Sequence, residues 1–150
     1  MDIKDTIKQR KPFENEFQKA YINFLFTSKK MENRNVAIMK PFNITGQHYN
    51  ILRILKGRFP EYASPGEIKE VLIDKKCDLT RLIDKLVKSD YVIRELNPEN
   101  RRKVDIKITE TGLKFLDEID PVVKQMNHFQ NVLTEEEAKQ LNLLLDKIRA

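Results

Sequence analysis

The strict alternation of Val104-Asp105-Ile106-Lys107-Ile108 limits this chain most, because it has a period of two where the sequence otherwise repeats every three to four residues. Tyr91-Val92-Ile93-Arg94-Glu95-Leu96 precedes it, and Asn97-Pro98-Glu99-Asn100-Arg101-Arg102-Lys103 lies between. Together they predict one antiparallel hairpin with a turn-forming start and a densely basic tip. A lone hairpin is at best marginally stable in water. It must lean on helices, so the rest of the chain has to supply them.

It does. Phe13, Phe17, Ala20, Tyr21, Phe24 and Leu25 lay one apolar stripe along a first long helix, expected from about Phe13 to Met39 and broken by Pro41. Thr45 caps a second helix carrying Tyr49, Leu52, Leu55 and Phe59 and ending before Pro60. Ser64-Pro65-Gly66-Glu67 is a capping box that opens a short third helix, whose expected buried face is Ile68, Val71 and Leu72. A fourth helix, over about 76–88, turns Leu79, Leu82, Ile83 and Leu86 inwards. Cys77, Arg81, Asp84 and Lys88 point the other way, flanked by Thr80 and Lys85. After the hairpin, Thr109 caps a fifth helix with the stripe Leu113, Leu116, Ile119, Val123, Met126 and Phe129 and a bend at Pro121. Thr134-Glu135-Glu136-Glu137 opens a last helix bearing Leu141, Leu144, Leu145 and Ile148.

Two short helices joined by a tight turn and followed by a two-stranded wing describe a winged helix-turn-helix. The expected fold class is therefore mainly α with a small β-hairpin wing (α+β), a winged helix-turn-helix lobe plus a helical dimerisation domain. At 150 residues the length suits one domain over 1–150, with the lobe at 45–110 and the helical region at 1–44 and 111–150. The apolar stripes on the first, fifth and sixth helices exceed what a small lobe needs to cover itself. Bundling within one chain or pairing of two chains would bury them.

Charge points to the partner. Residues 1–42 hold nine basic and five acidic side chains, residues 43–110 fourteen and eleven, and residues 111–150 five and seven, for a net charge of +5. A basic front and middle with an acidic tail suggests a polyanion. On the fourth helix, Thr80 can donate or accept, Arg81 can fork onto guanine O6 and N7, and Lys85 can meet a phosphate. Lys76 stands at the start of that helix. Asp78 and Asp84 would repel phosphates unless paired, and Asp84 is suited to bracing a basic side chain of the wing. Taken alone, this face also reads as an ordinary solvated one. Three consecutive cations at the hairpin tip, Arg101, Arg102 and Lys103, repel one another, and an anionic partner relieves that repulsion.

The stretch Asn97 to Gly112 resembles the wing signature of the MarR family of transcription regulators: a Pro-containing acidic turn, D-x-R or D-R-R, alternating apolar residues, then L-T-x-x-G. Asp78-Leu79-Thr80-Arg81-Leu82-Ile83-Asp84-Lys85-Leu86 is similar to that family's recognition helix, N-V-T-R-L-I-D-R-L. The resemblance covers about residues 45–112. It implies a homodimeric, sequence-specific DNA-binding regulator, a repressor on a pseudo-palindromic double-stranded operator. It also implies that Thr80 and Arg81 face bases, that Arg102 enters the minor groove with Arg101 beside it, and that Ser64 meets phosphate at a helix start. Asn100 stands where the family's wing has Asp, replacing a charge that orients Arg102 with a hydrogen bond. The resemblance further implies release by a small aromatic or anionic effector, for which Phe24, Met31, His48 and Tyr49 are the candidate lining, although the same residues serve equally as core. The alternative is an interaction or architectural module without sequence-specific readout.

Other chemistry finds little support. No Gly-rich phosphate loop or H-E-x-x-H occurs, and one Cys and two His offer no nucleophile–base pair, metal cluster or disulfide, so no enzyme, metal or cofactor is expected. A redox role for Cys77 is set against a small filler or DNA-facing residue. The charged start Met1-Asp2-Ile3-Lys4-Asp5 lacks the apolar stretch of a signal peptide, and no run is long enough to span a membrane. A cytoplasmic protein is the expectation.

Overall fold

A computed structural model describes residues 2–100 and 102–150. The chain runs α1 (Ile3–Thr6), α2 (Glu16–Met39), a 3-10 turn (Lys40–Phe42), α3 (Gly46–Arg58), α4 (Pro65–Val71), α5 (Leu79–Lys88), β1 (Val92–Leu96), β2 (Val104–Ile108), α6 (Glu110–Lys124), a second 3-10 turn (Phe129–Asn131) and α7 (Glu135–Arg149). The expected fold class is observed, a mainly helical chain with one hairpin.

Side-chain caps set most helix starts, and four of them, at Thr45, Ser64, Thr109 and Thr134, are those the sequence marks. Ser64 accepts from the Glu67 amide at 3.3 Å while the Glu67 carboxylate accepts from the Ser64 amide at 2.8 Å. Thr134 and Glu137 repeat the arrangement before α7. Thr109 accepts from the Gly112 amide at 2.9 Å and starts α6. Two starts are corrected. Asn15, extended and accepting from Gln18, begins α2 at Glu16 rather than at Phe13. Asp78 accepts from the Arg81 amide at 3.1 Å and begins α5 at Leu79. Asp78 thus serves the helix N-terminus, where a carboxylate is favourable. At the other end, α6 stops at Lys124 and Phe129 lies in the following 3-10 turn.

The core belongs to the lobe. Ile51, Leu52 and Leu55 of α3 meet Ile68 of α4, Leu79, Ile83 and Leu86 of α5, and Val92, Ile106 and Ile108 of the hairpin. Phe115, Leu116 and Ile119 of α6 and Met39 of α2 complete the cluster. The hairpin pairs Val92 with Ile108 and Leu96 with Val104. Ala63 adds a third edge through two backbone bonds with Ile106, of 2.8 and 2.9 Å. Val71 is not part of the buried face expected for α4. It is exposed, and Ile68 and Leu72 carry that packing. Cys77 does not point outwards from a helix either: it lies in the turn before α5, half-buried against the core.

The outer helices behave differently. Among their described residues, α2 buries only Met39 and α7 buries none. Phe17 is 87% exposed and Ile148 75%. Burying a side chain of this size is worth about 1.5–3 kcal/mol, and a single chain forgoes that gain at both.

Candidate nucleic-acid interface

The outward face of α5 presents Thr80 and Arg81 in solvent. Asp84, one turn on, is bound by the guanidinium of Arg94 from β1. The expectation that Asp84 braces a basic side chain of the wing is met, and the bond cancels the acidic charge that would oppose a polyanion. Lys76 is exposed in the turn before the helix, its amide donating to Asp74 at 3.0 Å. Gln47 of α3 donates to the same Asp74 at 2.6 Å, which ties that turn to the lobe. Lys85 does not share this outward setting. It is half-buried, and its ammonium donates to Asn43 at 3.2 Å.

The Ser64 hydroxyl donates to Glu67 at 2.8 Å as well as capping α4. Glu67 also binds Arg58 at 2.8 Å. The Ser64 amide, the Arg58 guanidinium and the Ser64 hydroxyl together hold the Glu67 carboxyl down to about 2.

The wing is built by side chains of its own turn. Asn97 accepts from the amides of Glu99 and Asn100, both at 2.9 Å. Its amide donates to Asp105 at 2.7 Å. Glu95 and Asp105 sit directly opposite across the strands, a destabilising pairing of like charges. The Asn97 bond and a 2.9 Å bond from the Tyr62 hydroxyl to Glu95 offset it. Lys107 lies over the rings of Phe59 and Tyr62, at 5.7 and 5.2 Å from their centres. Asn100 accepts from the Arg102 amide at 3.1 Å, so its hold on Arg102 is through the backbone. Arg102 and Lys103 are exposed at the tip, and Arg101 lies outside the described residues.

The cations thus divide into two sets. Arg53, Lys56, Arg58 and Arg94 are each paired with a carboxylate. Lys76, Arg81, Arg102 and Lys103 have no acidic partner among the described residues. These four lie in the turn before α5, on α5 and at the wing tip; Lys69, Lys75 and Lys88 of the lobe likewise have no acidic partner among the described residues, as do cations outside the lobe.

Phe24, Met31, His48 and Tyr49 are spread over α2 and α3. Phe24 is exposed, Met31 and Tyr49 are half-buried and His48 is buried. None of them lines either of two surface cavities, of about 410 Å³ beside the wing and about 500 Å³ at the α6–α7 turn. The His48 ring is already engaged, its Nδ1 accepting from the Thr45 amide at 3.1 Å and lying 2.7 Å from the Thr45 hydroxyl. His48 therefore stands in the capping box of α3 where Glu or Gln is usual. The sequence pattern did not mark this role, because an imidazole is not the residue that pattern seeks.

No helix among the described residues is long and apolar enough to cross a membrane. No group of three or more His, Cys, Asp or Glu side chains there is arranged to hold a metal.

A lobe of three helices followed by a hairpin wing, with Arg81 exposed on α5 and Arg102 and Lys103 exposed at the wing tip, defines a winged helix-turn-helix protein. No protein-family model matches the chain. It is 31% identical over 112 residues to the multiple antibiotic resistance protein MarR of Escherichia coli, covering 73% of this chain and 76% of that protein. Among solved structures it is similar to a MarR transcription factor from Planctomyces limnophilus, at 31% identity and a TM-score of 0.71 over 92% of this chain and 98% of that one. It is also similar to a cysteine-to-serine mutant of E. coli MarR complexed with operator DNA, at 27% identity and a TM-score of 0.74 over 92% and 99%. This chain belongs to the MarR family of transcription regulators, a family of regulators and not of enzymes.

Proposed function

We propose that this protein is a cytoplasmic repressor that binds a pseudo-palindromic DNA operator as a homodimer. The observation that carries the reading is the unpaired, exposed Arg81 beside Thr80 on α5, with Arg102 and Lys103 on the wing. A single α-helix fits the major groove, about 12 Å wide, and a hairpin beside it reaches backbone or minor groove. Thr80 and Arg81 then read bases, Lys76 and Lys103 meet phosphates, and Arg102, with Arg101 beside it, enters the minor groove. At the Ser64 end of α4 the Gly66 amide is what remains to face phosphate, since Pro65 has none, the Ser64 and Glu67 amides are engaged in the capping box and the Ser64 hydroxyl donates to Glu67.

Residues 45–110 form the DNA-binding lobe in this reading, and 1–44 with 111–150 the dimerisation region. Supporting the dimer is the apolar surface on α2 and α7, including Phe17, Tyr21, Leu143, Leu144 and Ile148, all exposed. Two-fold symmetry sets half-sites about one helical turn, roughly 10 bp, apart. Sedimentation of the wild type is expected to give twice the 17.8 kDa chain mass, and Leu144→Glu to give the single chain. A dimeric Leu144→Glu protein would remove α7 from the interface. A small aromatic or anionic effector that releases the DNA rests on family membership, with Phe24, Met31, His48 and Tyr49 as the candidate lining.

The test is selection of bound duplexes from random DNA near physiological salt, followed by titration of two variants. Recovery of one inverted repeat is expected. Arg81→Ala should cost about 1–3 kcal/mol at one base position. Arg102→Ala should weaken binding and reduce the salt dependence by about one ion. Bound but sequence-diverse DNA, with both variants weakened equally on every duplex, would identify an architectural protein instead.

A further inference from the structure

Lys85 stands on the recognition helix, and a cation there would ordinarily be counted as a phosphate contact. Its geometry differs from that of its neighbours. Arg81, Asp84 and Lys88 are exposed, whereas Lys85 is half-buried and donates to the Asn43 side chain, 42 residues away in sequence, at 3.2 Å. Ordering a lysine side chain costs up to about 2 kcal/mol of rotamer entropy, so such a bond matters only where the acceptor is fixed.

Asn43 is fixed. It ends the 3-10 turn after α2 in the left-handed conformation, at φ 55°, which Asn tolerates better than most residues. Its amide donates to the Lys40 carbonyl at 3.1 Å. On one side of it Phe42 packs on the core, edge-on to Phe115 with ring centres 6.4 Å apart, and on the other Ile44 is buried. The acceptor therefore sits on a short, anchored link between α2 and α3. Lys85 is also near enough to His48, on the first turn of α3, to act on its ring after burial does.

We infer that Lys85 is a positioning residue, whose ammonium pins recognition helix α5 to Asn43 at the α2–α3 link and thereby fixes how α5 is presented to DNA. The inference rests on the DNA-binding reading for its functional consequence, but the tether itself is a property of the free protein. It gives Lys85 a part distinct from that of Arg81 on the same helix: Arg81 touches the partner, and Lys85 holds the element that carries Arg81.

The experiment is a double-mutant cycle with Lys85→Met, which keeps the length of the stem and removes the donor, and Asn43→Gly, which keeps the left-handed backbone and removes the acceptor. Affinity for the selected duplex and its salt dependence are measured, together with amide hydrogen exchange across α5 in the free protein. Each single variant is expected to weaken binding about three- to tenfold, the size of one ordinary solvent-exposed hydrogen bond. The double variant should be no weaker than either, the salt slope should stay within error of wild type, and α5 should exchange faster in all three. Lys85→Arg, which restores a donor, should recover affinity. A salt slope reduced by about one ion in Lys85→Met, with Asn43→Gly unaffected, would make Lys85 a phosphate contact and overturn the inference. If the wild type binds no DNA, the functional reading fails separately. The exchange rates then decide the tether: unchanged protection of α5 in both variants overturns it.

Discussion

Gly112→Ala is expected to destabilise the protein by about 3 kcal/mol or more, at the upper end of what overpacking costs. A Cβ at position 112 would lie 2.2 Å from the Tyr91 carbonyl oxygen and 2.8 Å from Ile108. The nearest atom is backbone and cannot swing aside, and it is also committed: the Tyr91 carbonyl accepts from the Thr109 amide at 3.0 Å. The first turn of α6 therefore lies directly on the start of the hairpin, and only glycine permits that approach. This is a physical reason for the glycine that closes the wing motif. Thermal unfolding should show a fall of roughly 6–12 °C for a chain of this length. Gly57→Ala is the control, since nothing lies within 4 Å of a Cβ there and alanine favours the helix by about 0.5–1 kcal/mol. A Gly112→Ala protein as stable as Gly57→Ala would show that the two elements separate freely.

His48→Gln is expected to flatten the acid side of the stability profile. Burial first, and the Lys85 ammonium second, push the His48 imidazole from 6.5 to about 4. The unfolded chain thus binds a proton that the folded chain refuses between those two values, and folding stability falls as pH drops through that window. Above pH 6.5 the ring is neutral in both states and nothing is lost. At about 1.4 kcal/mol per unit, the loss between neutral pH and pH 4 is roughly 3 kcal/mol. Protonation would also place N–H against the Thr45 amide that Nδ1 now accepts. Gln at position 48 can keep the capping box without titrating. Urea midpoints at pH 7 and pH 4 should draw together in the variant by about that amount. Equal drops in variant and wild type would mean that carboxylates alone set the acid limit. Glu67, held down to about 2, loses its contribution only below its ordinary value of 4.5, so most of its window lies at lower pH.

Both features lie at the boundary of what a sequence can be read for. The two strands, the wing turn and the caps at Thr45, Ser64, Thr109 and Thr134 are legible because each depends on residues within a few positions of one another. The exact starts of α2 and α5 were harder. Asn15 and Asp78 are good caps, but Phe13 continues the apolar stripe of α2 past its cap, and nothing local stops a helix reading from starting at Lys76. Among the site residues, Arg81, Arg102 and Lys103 were recognisable as cations on the right elements. Nothing local separates Lys85 from them, because its acceptor is 42 residues away. That Asp84 braces the wing could be anticipated, but its partner Arg94 could not be chosen over the other wing cations.

By itself, then, the sequence determined the order of elements, the hairpin among helices, the capping boxes and the basic tip. All of these follow from hydrogen bonds and side-chain periodicity over one or two turns of chain. Tertiary structure decided which charges are spent and which remain: Arg53, Lys56, Arg58 and Arg94 are paired with carboxylates, Lys85 is tied to Asn43, and Arg81 and Arg102 are left facing solvent. It also decided that the stripes of α2 and α7 stay uncovered in a single chain. The reason is distance: a charge is cancelled, or a stripe buried, by groups that the fold brings together from far along the chain, and no local pattern records which of them will meet.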